Sequence, residues 1–229
     1  VEMYGVVTYA KAYTSYVQLV LDFGFLLSAT KNIAIFRGDV RRVGLLTGDT
    51  IVEKALLAIL AAVVTLILGN FLELFRMHQA FFWLYFLSSC FTIFIPDFLY
   101  RGIEKTEYAA LPFTIAKTIV LALTFFLIKS DADFLWIPVL EIAGNAAAAV
   151  VSLLFLKKLK IRLRISKWSN WIKDIKESSI YFFSNCATTV FGALTTIVVG
   201  IYMSAVDIAF WGLSMQLVSA AKSMYNPIA

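Results

Sequence analysis

Apolar residues in this chain come in blocks of about twenty or more, long enough for an α-helix to cross roughly 30 Å of hydrocarbon. The block "IVEKALLAILAAVVTLILGN" at 51–70 is the plainest example. Strand-like alternation is absent, which argues against a membrane barrel. The chain is 61% hydrophobic and 15% charged, with a mean hydropathy of +0.83. Soluble domains run near about 45–50% apolar and about 25% charged. The blocks predict an all-α, polytopic transmembrane bundle. Its expected spans are 5–34, 51–70, 79–100, 107–128, 133–157, 178–203 and 206–228. The chain begins at Val1, close to its first block, and ends at Ala229 inside its last, as expected of a piece cut at both ends.

Lysine and arginine set the expected orientation, because cytoplasmic loops carry an excess of both. Lys31, Arg37, Arg41, Arg42 and Lys54 follow the first block, and Arg101 and Lys105 follow the third. Eight more lie between the fifth and sixth blocks, from Lys157 to Lys176. The other side has Arg76 and Lys129, with Lys11 near its edge. The net charge of +5 is therefore read as membrane topology and not as a nucleic-acid surface. The connection "KKLKIRLRISKWSNWIKDIKE" mixes Trp168, Trp171 and Ile175 with cations, as in an amphipathic helix on an anionic leaflet. It divides the chain into 1–157, a basic linker at 158–177, and 178–229.

Asp22 lies inside the first apolar block, where a carboxylate is costly. Thr8, Lys11, Ser15, Gln18 and Asp22 recur at intervals of three or four, so they share one helix face. Similar stripes run through Thr114, Lys117 and Thr124, through Glu141, Asn145 and Ser152, and through Ser178, Tyr181, Asn185 and Thr188. Ser219, Lys222 and Asn226 form another. Hydrogen bonding between helices accounts for many Ser, Thr and Asn members of such stripes. Ionisable groups on separate helices point instead to one hydrated cavity. The candidates for its wall are Lys11, Gln18, Asp22, Lys117, Glu141, Asn145, Asn185 and Lys222.

No catalytic or metal-ligating set stands out. Cys90 and Cys186 lie in apolar blocks without ligand-like neighbours, and His78 lies alone in a short polar loop. Asp97 and Glu104 near Arg101 are the nearest approach to a membrane transferase site. Asp97 and Arg101, four apart, read better as an ion pair at a helix end.

Three stretches carry a family resemblance. They are "MYGVVTYAKAYTSYVQLVLDFGFLLSATKNIA" with the following "FRGDVRR" and "IVEKALL", then "PDFLYRGIEKTEYAAL", and finally "VGIYMSAVDIAFWGLSMQLVSAAKSMYNPI". In this order and spacing they resemble the O-antigen flippases, polysaccharide biosynthesis proteins of the multidrug/oligosaccharidyl-lipid/polysaccharide exporter superfamily. The resemblance implies about twelve helices in two lobes around a central cavity, of which this chain holds the greater part of one lobe and the start of the next. It implies no enzyme chemistry and no cofactor, but transfer of an undecaprenyl-diphosphate-linked oligosaccharide across the bacterial inner membrane by alternating access. A proton or sodium gradient is the candidate driving force. Membrane lipids and polysaccharide polymerase machinery are candidate partners, and nucleic acid is not. A cation-coupled drug exporter and a lipid-linked peptidoglycan-precursor flippase would share the architecture. A membrane-embedded transferase is the remoter alternative.

Overall fold

The computed structural model describes residues 2–225, without the side chains of residues 2, 131–132, 187–193 and 221–225. Its elements are helices, with no strand among the described residues. In order they are α1 (Glu2–Asp22), α2 (Phe25–Ile35), α3 (Val40–Phe71), α4 (Glu73–Met77) and α5 (Gln79–Phe91). Then follow α6 (Asp97–Gly102), α7 (Glu107–Leu127), α8 (Trp136–Lys158), α9 (Trp168–Tyr202) and α10 (Ala205–Tyr225). Four stretches among the described residues are long and apolar enough to cross a membrane: Val40–Phe71, Gln79–Gly102, Glu107–Leu127 and Asp133–Lys158. The chain is a membrane helix bundle.

Several expected boundaries shift, each for a local reason. The first block is two helices, not one, because Phe23 and Gly24 adopt positive φ of 37° and 78°. A Cβ on Gly24 would lie 2.5 Å from the Ser178 carbonyl oxygen and 2.7 Å from the Phe182 nitrogen. The break thus brings the backbone against α9, where Phe23 stacks on Phe182 with centroids 4.5 Å apart. The second block starts at Val40 and not near 51, since Asp39 caps α3 by accepting from the amides of Arg41 and Arg42 at 3.0 and 3.1 Å. The resulting 32-residue helix has two characters. Its first half buries Val43, Thr47, Asp49, Thr50, Glu53 and Lys54, whereas Ile59, Val63, Ile67 and Phe71 are exposed on the second. The third block is interrupted by a 3-10 turn at Thr92–Phe94 and by Pro96, which has no amide to continue the ladder.

Two cores hold the bundle at opposite ends. Tyr9, Tyr13, Phe75, Phe81, Phe82 and Tyr85 form an aromatic cluster that joins α1, α4 and α5. Within it Phe75 stacks on Phe82 at 4.5 Å, and the Tyr13 hydroxyl meets Thr65 Oγ1 of α3 at 2.7 Å. At the other end Ile33, Val43, Phe98, Leu99, Tyr100, Leu156 and Ile161 pack together. There the Tyr100 hydroxyl donates to the Ser152 carbonyl of α8. α7 and α8 approach through Gly144, over which Val120 packs, and Ala148 and Ala149 are buried nearby.

The basic connection after α8 is a strap before it is a helix. Residues 161–167 run across the first half of α3, where the Arg164 amide donates to the Gly44 carbonyl at 3.1 Å. Cβ atoms on Gly44 and Gly48 would come within 2.2 and 2.0 Å of the Arg162 and Arg164 carbonyl oxygens, so only glycine admits the strap. Asp49 secures it, accepting from the Ser166 amide at 2.7 Å and from Trp171 Nε1 at 3.0 Å. Trp171 is therefore tied inward, while Trp168 and Ile172 stay exposed. α9 starts at Trp168, ten residues before the expected span, and runs unbroken for 35 residues.

Candidate functional site

A cleft of about 970 Å³ opens between α1, α3 and the α5–α8 group. α1 contributes its polar stripe. Lys11, Ser15, Gln18 and Asp22 all line the cleft, whereas Thr8 turns to α10 and packs under Gly212. Opposite, α7 and α8 supply Lys117, Glu141 and Asn145. Six of the eight expected wall residues thus share one cavity: Lys11, Gln18, Asp22, Lys117, Glu141 and Asn145. Asn185 is half-buried on α9 and is not part of this wall, and the Lys222 side chain lies outside the described residues.

Charge in the cleft is organised in pairs. Asp22 accepts from Lys54 Nζ at 2.8 Å and from Gln18 Nε2 at 3.2 Å, and Gln18 also bonds Thr92. Lys117 pairs with Glu141, linking α7 to α8, and sits 5.5 Å over the Phe113 ring. Asp97 and Arg101 face each other at 3.8 Å, the expected pair one turn apart on α6. Lys11 is exposed to the cleft and has no ion pair among the described residues. The wall therefore holds the cations Lys11, Lys54, Arg101 and Lys117 against the carboxylates Asp22, Asp97 and Glu141, an excess of one positive charge.

Neutral polar groups fill the space between. Asn145 Nδ2 donates to the Ser88 carbonyl and hydroxyl at 3.1 and 3.0 Å. Its Oδ1 and the Tyr85 hydroxyl are buried without hydrogen-bond partners among the described residues. Both side chains line the cleft, but these two atoms lie behind its surface.

Lys54 is the residue that sequence reasoning misplaced. Counted among the loop cations, it is instead buried about four turns inside α3 and answers the charge of Asp22. The signal was present: Asp39 before Val40-Arg41-Arg42 is an N-cap, and a helix started there carries Lys54 into the bundle. Tyr85, Ser88 and Thr92 were also missed, although they recur at intervals of three and four: the stripe was there, set among the aromatic residues of an apolar block.

Among curated proteins, one from Shigella dysenteriae named "Putative O-antigen transporter" is 24% identical over the whole chain, which covers 57% of that relative. One of the same name from Escherichia coli (strain K12) is 18% identical over 99% of the chain, covering 55% of the relative. The chain thus spans a little more than half the length of the curated relatives it matches. No solved structure matches it. The profile of the Polysaccharide biosynthesis protein family matches residues 1–229, and the chain belongs to that family.

Proposed function

We propose that the protein to which this chain belongs moves an anionic lipid-linked oligosaccharide across the bacterial inner membrane. The substrate class is an undecaprenyl-diphosphate-linked repeat unit, passed from the cytoplasmic to the periplasmic leaflet without bond making or breaking. The observation that carries this reading is the polar cleft with its one-charge cationic excess inside an apolar bundle. Its volume of about 970 Å³ suits a headgroup; ligand sites generally run about 300–1,000 Å³. The lipid tail can stay in the bilayer while the headgroup occupies the cleft. The names of the two relatives agree with a transport role.

The electrostatics favour a diphosphate over a cationic drug. A phosphate charge 4 Å from an ammonium gains about 4 kcal/mol at an effective dielectric near 20. Lys11 is free to give that attraction at once, and Lys117 gives it by exchanging Glu141 for the phosphate. Sugar hydroxyls can then bond the exposed wall residues Ser15, Thr106 and Thr114. Gradient coupling by a proton or sodium ion is part of the same reading.

The test is complementation. Lys11→Gln and Lys117→Gln in the full-length protein should lower O-antigen display in a flippase-null cell at matched expression, and the corresponding Arg variants should be milder. Normal display in both Gln variants would refute the electrostatic reading. Transport of a cationic dye in place of the lipid-linked glycan would refute the substrate class.

A further inference from the structure

Away from the cleft, α2, α3 and α9 enclose a small cavity of about 10 Å³, room for about one water-sized species. Oxygen-bearing side chains line it: Ser28 and Asn32 of α2, Thr50 and Glu53 of α3, and Asp174 and Ser178 of α9. Glu53 is fully buried, and neither of its carboxyl oxygens has a hydrogen-bond partner among the described residues.

The hydrogens that could solvate Glu53 are engaged elsewhere. The Thr50 hydroxyl donates to the Leu46 carbonyl at 2.9 Å. The Ser28 hydroxyl donates to the Gly24 carbonyl at 3.3 Å, which leaves Ser178 to supply the hydrogen in the 2.6 Å Ser28–Ser178 bond. Asn32 turns its amide nitrogen to Glu177 at 3.5 Å, so its oxygen is the free end. Nearby cations are engaged as well, Lys54 with Asp22 and Lys31 with Glu177. Asp174 and Asp49 act on Glu53 with like charge. A buried carboxylate in such company is costly until a positive species joins it.

We propose that this junction is a sodium-ion site, with the Glu53 and Asp174 carboxylates and the oxygens of Ser28, Asn32, Thr50 and Ser178 as its ligand set. The polar side chains of the lining offer oxygen, which selects a hard cation, while Phe25, Ala29 and Leu46 close the rest of the cavity. The size of the cavity selects against Mg²⁺, which keeps several of its waters. Two carboxylates diluted by neutral oxygens suit a single charge. Occupancy would clamp α9 onto α2 and α3, beside the Lys31–Glu177 pair that spans the same contact. The proposal does not depend on what the cleft carries.

The experiment is equilibrium binding of radioactive sodium to the purified full-length protein in nanodiscs, in choline buffer at mildly alkaline pH. Saturable binding displaced by unlabelled sodium but not by choline is expected. Glu53→Gln should weaken it about tenfold or more. Ser178→Ala keeps both carboxylates and should also weaken it, which retains the test if the Glu53 variant fails to fold. No saturable binding by the unaltered protein would overturn the proposal. Unchanged binding in both variants would overturn it by placing sodium elsewhere. Lost sodium binding with O-antigen display intact would support the site and separate it from the reading of the cleft.

Discussion

Replacing Asp22 by Asn removes the partner of a buried lysine. Lys54 is 5% exposed and Asp22 37%, with 2.8 Å between the charges. At that distance the attraction is about 6 kcal/mol for an effective dielectric near 20, and about 1.5 kcal/mol in bulk water. Asp22 borders the cleft and keeps part of its hydration, so the loss falls between these limits, about 3 kcal/mol. For a chain of this size that lowers the unfolding midpoint by about 6–12 °C. The assay is thermal unfolding in mild detergent of the parent, Asp22→Asn, Lys54→Met and the double variant. Removing both charges leaves no orphan, so the double variant should be more stable than the sum of the two losses, with a coupling of about 2–3 kcal/mol. Additive losses below about 1 kcal/mol each would refute the reasoning and make Asp22 an ordinary solvated carboxylate.

Three further outcomes follow from the same geometry. Gly24→Ala places a Cβ against the α9 backbone at positive φ, and should cost at least about 1–3 kcal/mol by the same unfolding assay. Glu141→Gln frees Lys117, so it should tighten binding of a diphosphate lipid, read by equilibrium binding, while slowing its release. In the basic start of α9, ahead of its apolar stretch, burial and then the Asp49 and Glu177 carboxylates push Asp174 up to about 6, opposed by Lys173. The folded chain therefore holds this proton more tightly than the unfolded chain. In sodium-free buffer stability should fall as pH rises from the ordinary carboxylate value through about 6, and Asp174→Asn should flatten that slope.

The apolar blocks were legible because a helix in hydrocarbon needs length and little else. The stripes were legible too: three-and-four spacing on α1, α7 and α8 put Lys11, Gln18, Asp22, Lys117, Glu141 and Asn145 on one cavity wall. A stripe states that a helix has a polar face, not which neighbour meets it, so Asn185 on α9 shared the pattern without sharing the cleft. The break at Phe23–Gly24 was hidden because what it allows is the close approach of Ser178 and Phe182, far along the chain. Trp171 was hidden for a similar reason. A tryptophan among lysines reads the same whether its indole faces lipid headgroups or, as here, the Asp49 carboxylate.

The ion pairs explain how a charged cleft can exist in an apolar bundle. Each carboxylate of the wall is matched by a cation, so the wall carries little uncompensated charge. The matches differ in what they join. Asp97–Arg101 closes within α6, while Asp22–Lys54 ties α1 to α3 and Lys117–Glu141 ties α7 to α8. On the proposed reading, an anion that takes Lys117 from Glu141 would loosen a contact between two helices, and its departure would restore it. The buried Lys54 is poorly placed for such exchange, because losing Asp22 would strand it away from water. Within one cleft, then, the depth of the lysine separates the pair that holds the bundle, at Lys54, from the pair that would answer a substrate on the proposed reading, at Lys117.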